Sequence, residues 1–119
     1  MDINYTDMLS RKLDNFIEKH YENNKSALLL KGARQVGKTS AIRKYARKQK
    51  MNLIEINFYE DDSACGIFKG SQNAKDVLLR ISAHTKQKTS LPNTMIFFDE
   101  IQKSPAPSNQ IYKFDLLNL

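Results

Sequence analysis

The chain has 119 residues, 40% hydrophobic and 27% charged, with a formal net charge of +6, which suits one globular domain and excludes wholesale disorder. Its single cysteine, Cys65, excludes a disulfide framework and a cysteine-built zinc site. The longest apolar runs, Ala27–Leu30 and Met95–Phe98, are far too short for a membrane span, and Met1-Asp2-Ile3-Asn4 lacks the basic start of a secretory signal, so the sequence predicts a cytoplasmic protein with no membrane partner.

In chain order, Leu9, Leu13, Phe16, Ile17 and Tyr21 recur at three- and four-residue spacing between charged side chains. That spacing predicts an amphipathic helix over residues 6–22, with Thr6 or Asp7 as candidate caps. Ser26–Lys31 is a short apolar run closed by Gly32, the pattern of a strand buried on both faces. Lys38–Gln49 reads as a helix with Ile42, Tyr45 and Ala46 inward and Arg43, Lys44, Arg47 and Lys48 outward. Asn52–Phe58 alternates like a strand, 60–62 is an acidic loop, and Ala74–His84 reads as a helix on Val77, Leu78 and Ile81. Lys86–Asn93 is a polar loop ending near Pro92, and Thr94–Phe98 is a third buried strand. Ser104–Asn109 reads as a loop and Gln110–Leu119 as two or three turns of helix. Strands alternating with helices predict an α/β fold with a parallel sheet.

The charge is uneven. Residues 25–50 hold nine Lys or Arg and no Asp or Glu, while the rest of the chain nets −3. The whole positive excess therefore surrounds one motif: Gly32-Ala33-Arg34-Gln35-Val36-Gly37-Lys38-Thr39 fits G-x-x-x-x-G-K-[ST] between a predicted strand and a predicted helix. Such a loop wraps a polyphosphate with its backbone N–H groups. Gly32 allows the tight exit from the strand, and Gly37 allows close approach of backbone to phosphate. The following helix presents unpaired N–H groups and its positive dipole end. Lys38 reaches the β- and γ-phosphates, and Thr39 offers a hydroxyl to Mg²⁺.

Met95-Ile96-Phe97-Phe98-Asp99-Glu100 is four apolar residues followed by two acids. After a phosphate loop the acids divide the work. Asp99 is the candidate Mg²⁺ residue, acting mainly through water. Glu100 is the candidate catalytic residue that orients or deprotonates the attacking water. In a parallel sheet both motifs lie at the carboxyl ends of strands, where ligands bind.

Leu28–Thr39 closely resembles the phosphate loop of a prokaryotic group of AAA+-type P-loop ATPases, and Ile96–Gln102 resembles that group's Walker B segment. Ile54–Phe58 is similar to its second strand. The resemblance covers roughly residues 5–104. It implies an incomplete P-loop NTPase three-layer sandwich, an N-terminal helix plus about three parallel strands, with ATP and Mg²⁺ as cofactors. It carries nucleotide binding onto Gly32, Ala33, Arg34, Gln35, Val36, Gly37, Lys38, Thr39 and Ser40, metal binding onto Thr39 and Asp99, and catalysis onto Glu100 with Lys38. The implied organisation is an N-terminal helix over 1–24, a partial ATPase core over 25–104 and a divergent tail over 105–119.

Members of the group are several times longer. They carry a C-terminal domain of poorly known function, and in the fold class a further strand lies between the Walker A and Walker B strands and ends in a polar sensor residue. That comparison predicts a truncated product in which the facing edges of the strands at 26–31 and 94–98 lack a partner. Three functions stay open: an Mg²⁺-dependent ATPase domain, a non-hydrolysing remnant that holds nucleotide or pairs with a full-length relative or another copy, and a small P-loop kinase, which Glu100 disfavours. The basic face of the second helix suits either nucleic acid or solvent. Cys65, His20 and His84 show no metal-ligand or catalytic pattern, and Tyr5, Phe68 and Tyr112 form no stacking set.

Overall fold

The computed structural model describes residues 5–23, 27–32, 37–60, 62–99 and 117–118. Helix α1 (Tyr5–Asn23) precedes strand β1 (Leu28–Gly32), helix α2 (Lys38–Lys48) and strand β2 (Asn52–Asn57). A 3-10 helix (Asp62–Ile67), helix α3 (Ala74–Thr85), strand β3 (Thr94–Asp99) and a two-residue strand β4 (Leu117–Asn118) follow. The four strands form one sheet in the order β2-β3-β1-β4, and every pairing is parallel.

The sheet is the middle of three layers, and strand alternation decides which side chain goes where. Leu28 and Leu30 of β1, with Met95 and Phe97 of β3, face one side and pack with Leu9 and Leu13 of α1 and Ala41, Ile42 and Tyr45 of α2. Leu29, Ile96, Phe98, Ile54 and Ile56 face the other side, against Ala64, Ile67 and Phe68 of the 3-10 segment and Val77 and Ile81 of α3. Strands buried on both faces need continuous apolar sequence, which is why β1 and β3 read as unbroken runs. At the edge, β2 is less apolar, and its Glu55 meets Arg43 of α2 at 2.9 Å. The α/β three-layer arrangement with a parallel sheet is the fold expected from the sequence.

Local signals set the element ends. Asn73 caps α3 by accepting the Asp76 N–H at 2.9 Å, and Asp76 in turn accepts the Gln72 N–H at 3.1 Å. Helix α3 ends on Lys86, which takes the left-handed conformation at φ 58°. Helix α1 already runs at Tyr5, so Thr6 and Asp7 lie in its first turn rather than at its cap.

Two sequence-based expectations change. The strands predicted to lack partners instead pair directly, with Leu28 beside Met95 through Gly32 beside Asp99. Two apolar parallel strands with matching alternation satisfy each other's backbone groups without an interposed strand. Leu117–Asn118, expected in a helix, adds to the outer edge of β1 opposite Leu30 and Lys31, and Leu117 packs against the α1–α2 core. In the core, the fully buried Phe68 ring lies 6.0 Å from Phe58 and 5.1 Å from Phe98.

Candidate functional site

The carboxyl ends of β1, β3 and β2 lie side by side. Gly32 is in register with Asp99, and Asp99 with Asn57. Asp99 ends the central strand of the three and is braced from the β2 side, where Phe58 N–H donates to its carbonyl at 3.0 Å. The Asn57 side chain ends β2 by accepting the N–H groups of Tyr59 at 2.9 Å and Glu60 at 3.1 Å, the local turn typical of Asn. Parallel strands leave this edge open to ligands, since helices cover the faces and loops depart from the ends.

Gly37 stands immediately before α2 at φ 85°, in the left-handed region. A Cβ there would meet nothing within 4 Å, so it is the backbone conformation that calls for glycine. The Ala41 N–H donates to the Gly37 carbonyl at 2.9 Å, which starts the helix. No acidic side chain occupies the first turn of α2, which leaves its positive end without a carboxylate of its own.

Lys38 opens α2 and is only 4% exposed, rare for a lysine. Burial pushes its ammonium below the ordinary lysine range; Asp99 opposes that shift, and Lys12 of α1 reinforces it. Thus Lys38 from α2 and Asp99 from β3, 61 positions apart in the chain, share one electrostatic environment, and Lys12 contributes to it. Oδ1 of Asp99 is buried, and the field of Asp99 also reaches Arg43. Thr39 is half-buried and Ser40 exposed in the same first turn. The structure thus sets Gly32 beside Asp99 and puts Lys38 within the field of Asp99, while Gly37, Thr39 and Ser40 flank Lys38 in the chain. Ala33, Arg34, Gln35, Val36 and Glu100 lie outside the described residues.

Among the described residues no group of three or more His, Cys, Asp or Glu side chains gathers to hold a metal. One carboxylate and one hydroxyl, both hard oxygen donors, suit Mg²⁺, which keeps several waters and shares its remaining positions with phosphate rather than taking an all-protein cage. The residues present therefore fit such an ion.

A buried lysine opens a helix after a left-handed glycine, within the field of an aspartate at the end of a parallel strand, in an α/β domain. A family profile described as an AAA domain matches residues 24–114. The chain belongs to that AAA domain family. The match starts after α1 and runs ten residues beyond the stretch that carries the resemblance noted above. Neither the curated proteins nor the solved structures give a match. Among the described residues, no helix is long and apolar enough to cross a membrane.

Proposed function

We propose that the protein binds Mg²⁺·ATP and hydrolyses it. One observation carries this reading: Lys38, which is buried, and Asp99, which is half-buried, share an electrostatic environment at the open carboxyl edge of the sheet. A desolvated ammonium is costly to keep in a protein, and an anion of high charge density would offset the cost. In this reading the loop Gly32–Thr39 with Ser40 cradles the phosphates, and Lys38 holds the β- and γ-oxygens. Thr39 and Asp99 hold Mg²⁺, which when bound neutralises phosphate charge. Glu100, the residue after Asp99, orients and deprotonates the attacking water. ATP is preferred over other nucleotides because of the resemblance to AAA+-type ATPases.

A second reading is nucleotide binding without turnover. The direct pairing of β1 with β3 favours it, since among the described residues no strand stands between them to supply a polar sensor. One experiment separates the two. Mg²⁺·ATP binding and phosphate release are measured for the wild type, Lys38→Ala and Glu100→Gln. The ATPase reading expects lost binding in Lys38→Ala, and binding with little release in Glu100→Gln. Wild-type binding with no release supports the second reading. Binding unchanged by Lys38→Ala overturns both.

A further inference from the structure

Five of the nine Lys and Arg residues in the basic stretch 25–50 stand together on one surface. Arg43, Lys44, Arg47, Lys48 and, in the turn after α2, Lys50 are all exposed. The helix period puts them there. At about 100° per residue, Arg43, Arg47, Lys44 and Lys48 span about 140° of α2, and Lys38, Ala41, Ile42, Tyr45 and Ala46 fill the buried side. Between Ser40 and Gln49 the exposed positions hold only Lys and Arg. The candidate nucleotide site does not account for these charges. Lys44, Arg47 and Lys48 lie about 9–15 Å farther along the helix than Lys38, at roughly 1.5 Å per residue.

The arrangement is unfavourable by itself. Arg43 with Arg47, and Lys44 with Lys48, are like charges four positions apart, a spacing that weakens a helix. Arg47 and Lys48 gain from the negative end of the helix dipole, but Lys44 stands before the last turn. Glu55 relieves one flank by pairing with Arg43 at 2.9 Å, and Asp14 accepts the Tyr45 hydroxyl at 2.5 Å. Among the described residues no acidic side chain pairs with Lys44, Arg47, Lys48 or Lys50. A polyanion laid across this face would relieve the repulsion. We propose that the outward face of α2 binds the phosphate backbone of double-stranded DNA, independently of base sequence. The duplex offers the dense phosphate charge that such a face complements. The face carries no aromatic ring on which single-stranded bases stack, and no neutral side chain between Ser40 and Gln49 to read the 2′-hydroxyls of RNA. A membrane surface fits less well. A helix lying on a membrane inserts an apolar face, whereas that of α2 is buried against α1 and the sheet. The exposed large apolar side chains Met8, Tyr59, Leu79 and Leu91 belong to other segments. The proposal stands independently of the nucleotide reading.

The test is fluorescence anisotropy of the full chain with a labelled DNA duplex of about 20 base pairs, from about 50 to 200 mM salt. The wild type should bind at micromolar concentration in low salt. Its log affinity should fall with log salt at a slope of about −3, the value for three to four phosphate contacts, and so weaken roughly sixtyfold over that range. The double variant Lys44→Ala, Lys48→Ala should bind roughly tenfold more weakly in low salt and bring the slope to about −1. Alanine suits exposed helical positions, so the fold is kept, and unchanged circular dichroism checks this. The control double Lys69→Ala, Lys75→Ala removes the same charge from exposed positions in the layer on the other side of the sheet and should bind as the wild type does. Equal losses in the two doubles overturn the proposal, because they mark a diffuse effect of net charge. Unchanged binding in the α2 double overturns it, as does a wild type that does not bind DNA in low salt. Tighter binding to a single strand, to duplex RNA or to phosphatidylserine vesicles than to duplex DNA also overturns it. Excess Mg²⁺·ATP should leave the DNA bound; displacement would put the DNA at the phosphate loop and overturn the role of the α2 face.

Discussion

Leu13→Ala tests whether α1 is an integral part of the domain. Leu13 is fully buried among Leu28 and Leu30 of β1, Ile42 and Tyr45 of α2, and Met95 and Phe97 of β3. Removing three buried carbons loses about 2.5 kcal/mol of transfer free energy at ~0.8 kcal/mol per methylene. The cavity left behind adds to this, because neighbours drawn from the sheet and from α2 collapse only partly. The expected cost is about 3 to 4 kcal/mol. With a total stability of roughly 5–15 kcal/mol for a small domain, that is a large fraction. Urea unfolding followed by circular dichroism should show the midpoint falling by about 1.5–2 M for an m-value near 2 kcal/mol/M. Met8→Ala on the same helix is the control, since Met8 is 57% exposed and its loss should stay within about 0.5 kcal/mol. A Leu13→Ala midpoint no lower than that of Met8→Ala would refute the docking of α1.

Other substitutions probe single contacts. Arg80 donates to the carbonyls of Gly66, Ile67 and Lys69 and so closes the end of the 3-10 segment. Arg80→Ala should cost about 1–2 kcal/mol in urea unfolding, with Arg80→Lys intermediate; a cost near zero would show that water replaces the guanidinium. Burial first, and then the bond to Asp14, raises the pKa of Tyr45 above its ordinary value of 10.0. The neutral hydroxyl is thus favoured in the folded state, so its contribution is whole below pH 10 and declines as pH rises beyond it. Tyr21, raised by burial, acts with the same sign. Tyr45→Phe should therefore lower stability near neutral pH by about 1 kcal/mol and make the decline above pH 10 shallower; an unchanged slope would count against burial of the Tyr45 hydroxyl, and an unchanged stability near neutral pH against its Asp14 contact. The Arg43–Glu55 pair is solvent-exposed on the arginine side, so a double-mutant cycle should return less than about 1 kcal/mol, and a larger coupling would contradict its exposure.

Much of the candidate site was legible because its information is local. The phosphate-loop spacing, the strand before it and the helix after it occupy one continuous stretch, and Asp99 follows an apolar run long enough to mark a buried strand. The helix periods of α1, α2 and α3 likewise come from side chains three and four positions apart, which contact the same neighbour whatever that neighbour is. Phe68 shows the limit. It lies in a segment with no clear period, and its partners Phe58 and Phe98 are ten and thirty residues away, so only packing reveals the cluster.

By itself the sequence determined the α/β class, the helices and main strands, and the concentration of positive charge around Gly32–Thr39. Tertiary structure alone decided that β1 pairs directly with β3, and that Leu117–Asn118 joins the sheet. The reason is physical. Periodicity states which face of an element is apolar, but strand order, register and the rotation of one helix on another depend on contacts between segments far apart in the chain. The opening +6 charge shows the difference: composition places it near one loop, and folding buries that loop's own lysine, Lys38, within the field of Asp99 at the end of β3.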